Sequence, residues 1–284
     1  MELPIDSSGR CIFHSKDINF KIQKKIIGIF KKLLLAINSQ DKTSEKEFLN
    51  LTELWLMLPK DEEDEEKKEQ LIDFKGVHLK TTKLFLNHSK FSTKIVFPIS
   101  DFVDVSFSNC VFYDEVEILG GRLGSTSFHR SEFKSYLNIE ETIFEDFVDF
   151  SYAQFYRGLN IGNAKFEKQV VFPYCKFFNN DPPSIVNING YFHEFTDFTE
   201  CIFEVFLILS HCIFEGEVNF TGTIFRTRFF VTKPLIKSNF FIKGKTNGES
   251  IFQDLVDFDL NPEEIEGRII FENASFLKIN HEHK

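Results

Sequence analysis

Cys11 and His14, in the segment GRCIFHS, have the C-x-x-H spacing of half a zinc site. Structural zinc usually takes four ligands, and no second pair stands near them; His281 and His283 lie at the far end of the chain. Cys201, His211 and Cys212 bring sulfur and imidazole close in sequence, but the spacing pattern described below turns the two thiols inward and His211 outward. Five cysteines, an odd number with no C-x-x-C pair, fit neither a disulfide framework nor a zinc ribbon. Glu140, Glu141, Glu145 and Asp146 form the densest group of carboxylates. General-acid work needs one carboxyl raised by burial in a cleft, and a solvated ridge raises none. The nucleophile elbow, the phosphate loop, the dinucleotide turn and the zinc-protease helix are all missing from the sequence. The expectation is a chain with no catalytic residue, no metal and no cofactor.

What positions these residues is a repeat. Of the 284 residues 37 are Phe, against one Trp and six Tyr, so one aromatic fills a recurring slot. A ladder of large apolar residues runs through Phe97, Phe102, Phe107, Phe112, Ile118, Leu123, Phe128 and Phe133 in steps of five or six. From Phe133 the steps alternate six and five through Ile139, Phe144, Phe150, Phe155, Ile161, Phe166, Phe172 and Phe177. The ladder resumes with Phe198, Phe203, Leu209, Phe214, Phe220 and Phe225. Two residues before each rung sits a second patterned position. It is small at Cys110, Ser131, Thr142, Ala153, Ala164, Cys175, Cys201, Cys212 and Thr223, and aliphatic at Val148, Leu159, Val170, Leu207 and Val218.

Two same-face residues at i and i+2 make one short strand, whereas a helical face recurs at three and four. The chain must therefore turn a corner every five or six residues and wind round its own side chains. Fixed-period self-similarity of this kind means a solenoid. The pattern resembles the pentapeptide-repeat family over roughly residues 84–231, with Phe as the usual large residue and six-residue faces alternating with five. That resemblance implies an all-β solenoid, a right-handed quadrilateral β-helix. Strand stacking at about 4.8 Å then places about six coils, or roughly 30 Å of rod, in residues 97–231.

The organisation expected is an N-terminal cap region over 1–70, a β-helix over 71–231, and irregular C-terminal coils and tail over 232–284. Residues 20–37, FKIQKKIIGIFKKLLLAI, carry apolar residues at helical spacing with lysines elsewhere, an amphipathic capping helix. An open solenoid end needs such a cap; a basic amphipathic helix also suits an anionic membrane surface or a partner. Residues 48–58 are either a second cap helix or the first coil. The acidic run DEEDEEKKEQ, 61–70, reads as a solvated loop, and NNDPPSIVNING, 179–190, as a loop bulging from one corner. No stretch is long and apolar enough to span a membrane, and the first residues carry no secretory pattern, so the default location is cytoplasmic.

Residues 97–231 hold 19 carboxylates against nine Lys and Arg, a net charge equal to the −10 of the whole chain. Such a rod repels phosphate, which disfavours direct nucleic-acid binding. The family resemblance implies a further reading, since some of its members imitate duplex DNA on type II topoisomerases. Duplex DNA carries roughly 17 charges over 30 Å, which the 19 carboxylates match before the nine cations halve the net. The leading expectation is a non-catalytic scaffold mediating protein–protein interaction, with a DNA mimic of a topoisomerase or another DNA-binding enzyme as the alternative. Candidate contacts are Glu140, Glu141, Glu145, Asp146, Tyr152 and Tyr156, with Tyr174 and Phe178 as further exposed aromatics.

Overall fold

Besides the isolated turn residue Ser7, the structure, a computed structural model, describes residues 71–73, 82–85, 87–91, 94–98, 102–180, 184–244 and 252–275. The expected cap helix, residues 48–58, the acidic run, Cys11, His14 and the last nine residues lie outside the described residues. So do residues 181–183, inside the expected loop at 179–190.

The five-and-six spacing becomes strands of two to nine residues, each paired in parallel with the coil before, the coil after or both. Leu137–Glu140 pairs with Val116–Leu119 on one side, an offset of 21 residues, and with Gly158–Phe166 on the other, an offset of 22. One coil is thus 21 or 22 residues and contains four rungs. In the coil that starts at residue 131 these are Phe133, Ile139, Phe144 and Phe150, all fully buried, and the segments that carry them are called here the first to fourth faces. The first face is a sheet of its own, seven strands from Lys90–Phe91 to Ile224–Phe225. The other faces merge into one 21-stranded sheet, because strands such as Gly158–Phe166 run on around a corner. The chain is therefore an all-β solenoid. Its only helical turn among the described residues is Pro262–Glu264.

Stacking of identical side chains fills the core. In the first column Phe133, Phe155, Phe177 and Phe203 follow at centroid spacings of 5.1, 4.7 and 4.5 Å, with ring planes within 5° of parallel. Phe150, Phe172, Phe198 and Phe220 do the same in the fourth column at 4.8, 4.7 and 4.7 Å. Phe144, Phe166, Phe192 and Phe214 form the third, and the second is aliphatic, with Ile139, Ile161, Ile188 and Leu209. Each offset stack adds about 0.5–1.5 kcal/mol to simple burial.

Corners close by a specific hydrogen bond. After each fourth-face rung the N–H of the next small-slot residue donates to the rung's carbonyl, as Ala153 does to Phe150 at 2.9 Å and Cys175 to Phe172 at 3.1 Å. The residue before the small slot then has positive φ, which fits the third residue of a type II turn. Only one such corner has glycine, Gly222 at φ 70°; elsewhere it is Asn109, Arg130, Tyr152, Tyr174 or Glu200, at 54–62°. Side chains brace these turns: Asp149, Asp197 and Asn219 each accept from the N–H two residues on, at 2.8, 2.9 and 3.0 Å.

The structure revises the expected loop at 179–190. Ile185–Phe192 is a strand in register with Gly158–Phe166, and Val186, Ile188 and Phe192 are buried rungs and slots. Relative to the coil before, the spacing from Phe177 to Val186 is five residues longer than that from Phe155 to Leu159. The step from Ile188 to Phe192 is four, because the pairing omits Asn163 and lets Gly190 take the place opposite Ala164. A Cβ at Gly190 would lie 2.7 Å from the Ala164 carbonyl oxygen, which explains the glycine. Stacking also continues past residue 231: Leu235–Ile236, Asn239–Lys243, Val256–Asp259 and Arg268–Glu272 pair in turn with the coil before.

Candidate interaction surface

The core rungs named from sequence, Phe144, Phe150, Phe155, Ile161, Phe166, Phe172, Phe177, Phe203, Phe214, Phe220 and Phe225, are all buried to within 1 %. The six candidate contact residues do not form one patch. Glu140 and Glu141 stand at the corner before the third face and Glu145 and Asp146 at the corner after it. Tyr152 and Tyr156 bracket the first face of the next coil, which is not adjacent to the third.

The acidic residues are turned to separate partners. Arg122 Nε donates to Glu145 Oε1 at 2.6 Å, Asp146 Oδ1 accepts from the Phe147 N–H at 2.7 Å, and Glu140 accepts from Asn138 at 3.2 Å. Farther along the same side, Lys165 pairs with Glu167 at 2.7 Å and Lys168 with Glu194 at 2.8 Å. Lys237 and His193 reach the two oxygens of Glu215 at 2.7 and 2.6 Å. Hydrogen bonds from Lys237 first, then from Tyr191 and His193, hold the Glu215 carboxyl down at about 2, well below the usual carboxylate range. Sequence reasoning missed this cluster, and also the asparagine row of the second face, where Asn160 donates to Asn138 at 2.7 Å and Asn187 to Asn160 at 3.0 Å.

The first face is different in kind. Its inward positions alternate with the outward Val111, Glu132, Gln154 and Lys176, and a row of larger side chains runs along each edge. Along one edge the Arg130 guanidinium lies 5.4 Å from the Tyr152 ring centre, and Tyr152 stacks on Tyr174 at 4.8 Å and 9°. Along the other, Lys134 Nζ sits 3.6 Å over Tyr156, which stacks on Phe178 at 4.8 Å. Tyr152 and Tyr174 are 43 % and 44 % exposed, and Tyr113, one place after its rung as Tyr156 is, 52 %. Burial works against the Lys134 charge, but the Glu132 carboxylate, 2.5 Å away, and the Tyr156 phenol hold its pKa above the ordinary lysine value. Tyr156 in turn donates to Gln154 Oε1 at 3.1 Å. The two rows are thus ordered surfaces, each a cation followed by two aromatic rings.

Among the described residues no group of three or more His, Cys, Asp and Glu is placed to hold a metal ion. Cys110, Cys175, Cys201 and Cys212 are in no disulfide and are buried in the small slot. Burial pushes the Cys110 thiol up to about 11 and the Cys212 thiol up to about 12, so both stay protonated at neutral pH. Cys212 donates inward to the Ile188 carbonyl at 3.1 Å, while exposed His211 bonds Ser210 Oγ at 2.8 Å. No helix among the described residues is long and apolar enough to cross a membrane.

Comparison with protein-family models, with curated proteins and with solved structures found no match for this chain.

Proposed function

We propose that this chain is a non-catalytic scaffold that binds another protein through its first face. The observation that carries the reading is the paired aromatic rows, Tyr152–Tyr174 and Tyr156–Phe178, held half-exposed at fixed spacing on a flat parallel sheet. Solenoids supply extended binding surfaces, and aromatic side chains are enriched at interfaces. Ring stacking fixes these side chains before a partner arrives, which lowers the ordering cost of association.

The same reading takes the solenoid to be a right-handed quadrilateral β-helix of the pentapeptide-repeat kind. Four rungs per 21- or 22-residue coil and the small-slot-to-Phe pattern support it. It assigns residues 1–70 to a cap over the open strand edge, on the ground that an uncovered edge invites aggregation. It places the protein in the cytoplasm, in keeping with four cysteines that form no disulfide. Imitation of DNA on a topoisomerase has less support, because carboxylates along the third face are matched by Arg122, Lys165, Lys168 and Lys237.

The test is affinity capture from a lysate with the full-length chain and with a Tyr152→Ala/Tyr174→Ala variant, eluted by a salt gradient. A partner held by the parent and lost by the folded variant supports the reading. Equal capture by both refutes binding through the first face. Recovery of a DNA-binding enzyme displaced by duplex DNA favours mimicry instead.

A further inference from the structure

Charge divides the rod by face. Over the coils spanned by residues 130–178, the first face and its edges carry Arg130, Lys134 and Lys176 against Glu132 alone. The third face and its corners, over the matching coils 122–168, carry five carboxylates against Arg122, Lys165 and Lys168. Over these coils the first face is therefore locally cationic within a chain of net charge −10, and it is also the aromatic face.

The rings themselves add to that sign. A stacked ring shows its negative π face to its neighbour, and solvent meets its electropositive edge. Tyr152 and Tyr174 are stacked within 9° of parallel and 43 % and 44 % exposed, so what faces outward is edge and phenol hydroxyl. The same stacking leaves little free π face for a sugar or a nucleobase to lie on. Edge hydrogens, phenol donors, a guanidinium and two ammonium groups all favour carboxylate oxygens. Lys134, the one cation in contact with Glu132, keeps its charge partly matched, whereas Arg130 stands over Tyr152 and Lys176 is exposed at the centre of the face.

Building on the scaffold reading above, we propose that the partner contacts the first face with an acidic segment, Asp and Glu side chains that meet Arg130 and Lys134 at the heads of the two aromatic rows and Lys176 between the rows. Complementary charge speeds such an encounter and excludes basic partners, and the aromatic rows supply the apolar contact.

The experiment uses the full-length protein and two labelled peptides, one of Glu-Glu-Leu repeats and one of Lys-Lys-Leu repeats, followed by fluorescence anisotropy at low and at raised salt. The acidic peptide should bind and the basic one should not, with affinity falling as salt rises. The Arg130→Glu/Lys176→Glu variant should lose about tenfold or more, while Glu140→Lys/Asp146→Lys on the third face should bind as the parent does. A melting curve for each variant separates lost binding from lost fold. Absence of acidic-peptide binding, or binding that ignores the first-face charges, overturns the proposal. So does preferential binding of oligo-dT through the same cations, which would make the ligand nucleic acid. Self-association abolished by Glu140→Lys/Asp146→Lys would instead make the occupant a second copy, and would also overturn it. If Tyr152→Ala/Tyr174→Ala loses a captured partner that charge reversal keeps, the acidic-partner inference alone falls. If neither variant loses that partner, the scaffold reading of this face falls with it.

Discussion

Ser131 Oγ donates to the carbonyl of Phe107, 24 residues earlier, at 2.5 Å, and so ties the small slot of one coil to a rung of the coil below. Cys175 does the same to Phe150 at 3.0 Å, Cys201 to Phe172 at 2.9 Å, and Thr223 to Phe198. The slot is small because Phe rings fill the space beside it, and where it is not Ala it is a donor. Removing the hydroxyl, as in Ser131→Ala, gives up this bond and the one its oxygen accepts from the Cys110 N–H at 3.1 Å, and should cost about 0.5–1.5 kcal/mol, because the Cys110 N–H and the Phe107 carbonyl still pair with each other. Ser131→Leu should cost more, since overpacking adds roughly 1–3 kcal/mol of strain. Thermal melting of the two variants checks the order, and an equal loss would mean that the slot is not sterically tight.

A rung should cost far more than a surface ring of similar size. Phe155 is fully buried between Phe133 and Phe177, whereas Tyr152 is 43 % exposed. Phe155→Ala should lose about 3–5 kcal/mol, the range for buried Phe deletions. Tyr152→Ala gives up mainly an exposed stack and should lose about 0.5–1.5 kcal/mol. Denaturant unfolding of both variants measures the difference, and comparable midpoints would contradict the burial assignment.

The rungs and slots were legible because each is a steric demand repeated in every coil: Phe or Ile inward, then Ala, Ser, Thr or Cys two places earlier. The rung at Phe192 was not, because the step from Ile188 is four and Asn-Ile-Asn-Gly has the composition of a turn. The surface was half legible. Tyr152 and Tyr156 stood out singly, but their grouping with Glu140 and Glu145 followed nearness in sequence, which a solenoid converts into separation around the coil. The signal that would have found the first face is a comparison at intervals of 22: Arg130 and Lys134, Tyr152 and Tyr156, Tyr174 and Phe178. Left-handed corners at Arg130, Tyr152 and Glu200 left no trace, since those residue types are not the usual occupants of positive φ.

Those corners supply a stability test. Glu141 has φ 51° at an exposed corner, where an L side chain meets a steric penalty that glycine avoids. Glycine also loosens the unfolded chain, so Glu141→Gly should be neutral or stabilising by up to about 1 kcal/mol. Glu141→Val places a β-branched side chain at positive φ and should destabilise clearly. Melting temperatures in the order Gly, then Glu, then Val confirm the corner conformation; a Val variant as stable as the parent contradicts it.

The Glu215 cluster predicts a specific acid response. The folded carboxyl sits at about 2 against an ordinary 4.5, held down chiefly by Lys237 and then by Tyr191 and His193. A carboxyl whose pKa is lower in the folded state stabilises fully above its unfolded value and loses that contribution as pH falls through the folded one. The contribution should therefore be constant above about pH 5 and fade between about pH 4.5 and 2. Lys237 is raised by the same carboxylate, so its share persists below the ordinary lysine value and fades only in strong alkali. Glu215→Gln should lower the melting temperature at pH 7, and the gap to the parent should close on acidification through that window. Because the cluster is solvent-exposed, raised salt should narrow the gap at pH 7 as well. A gap unchanged from pH 7 to pH 2 would show that Glu215 acts by packing and not by charge.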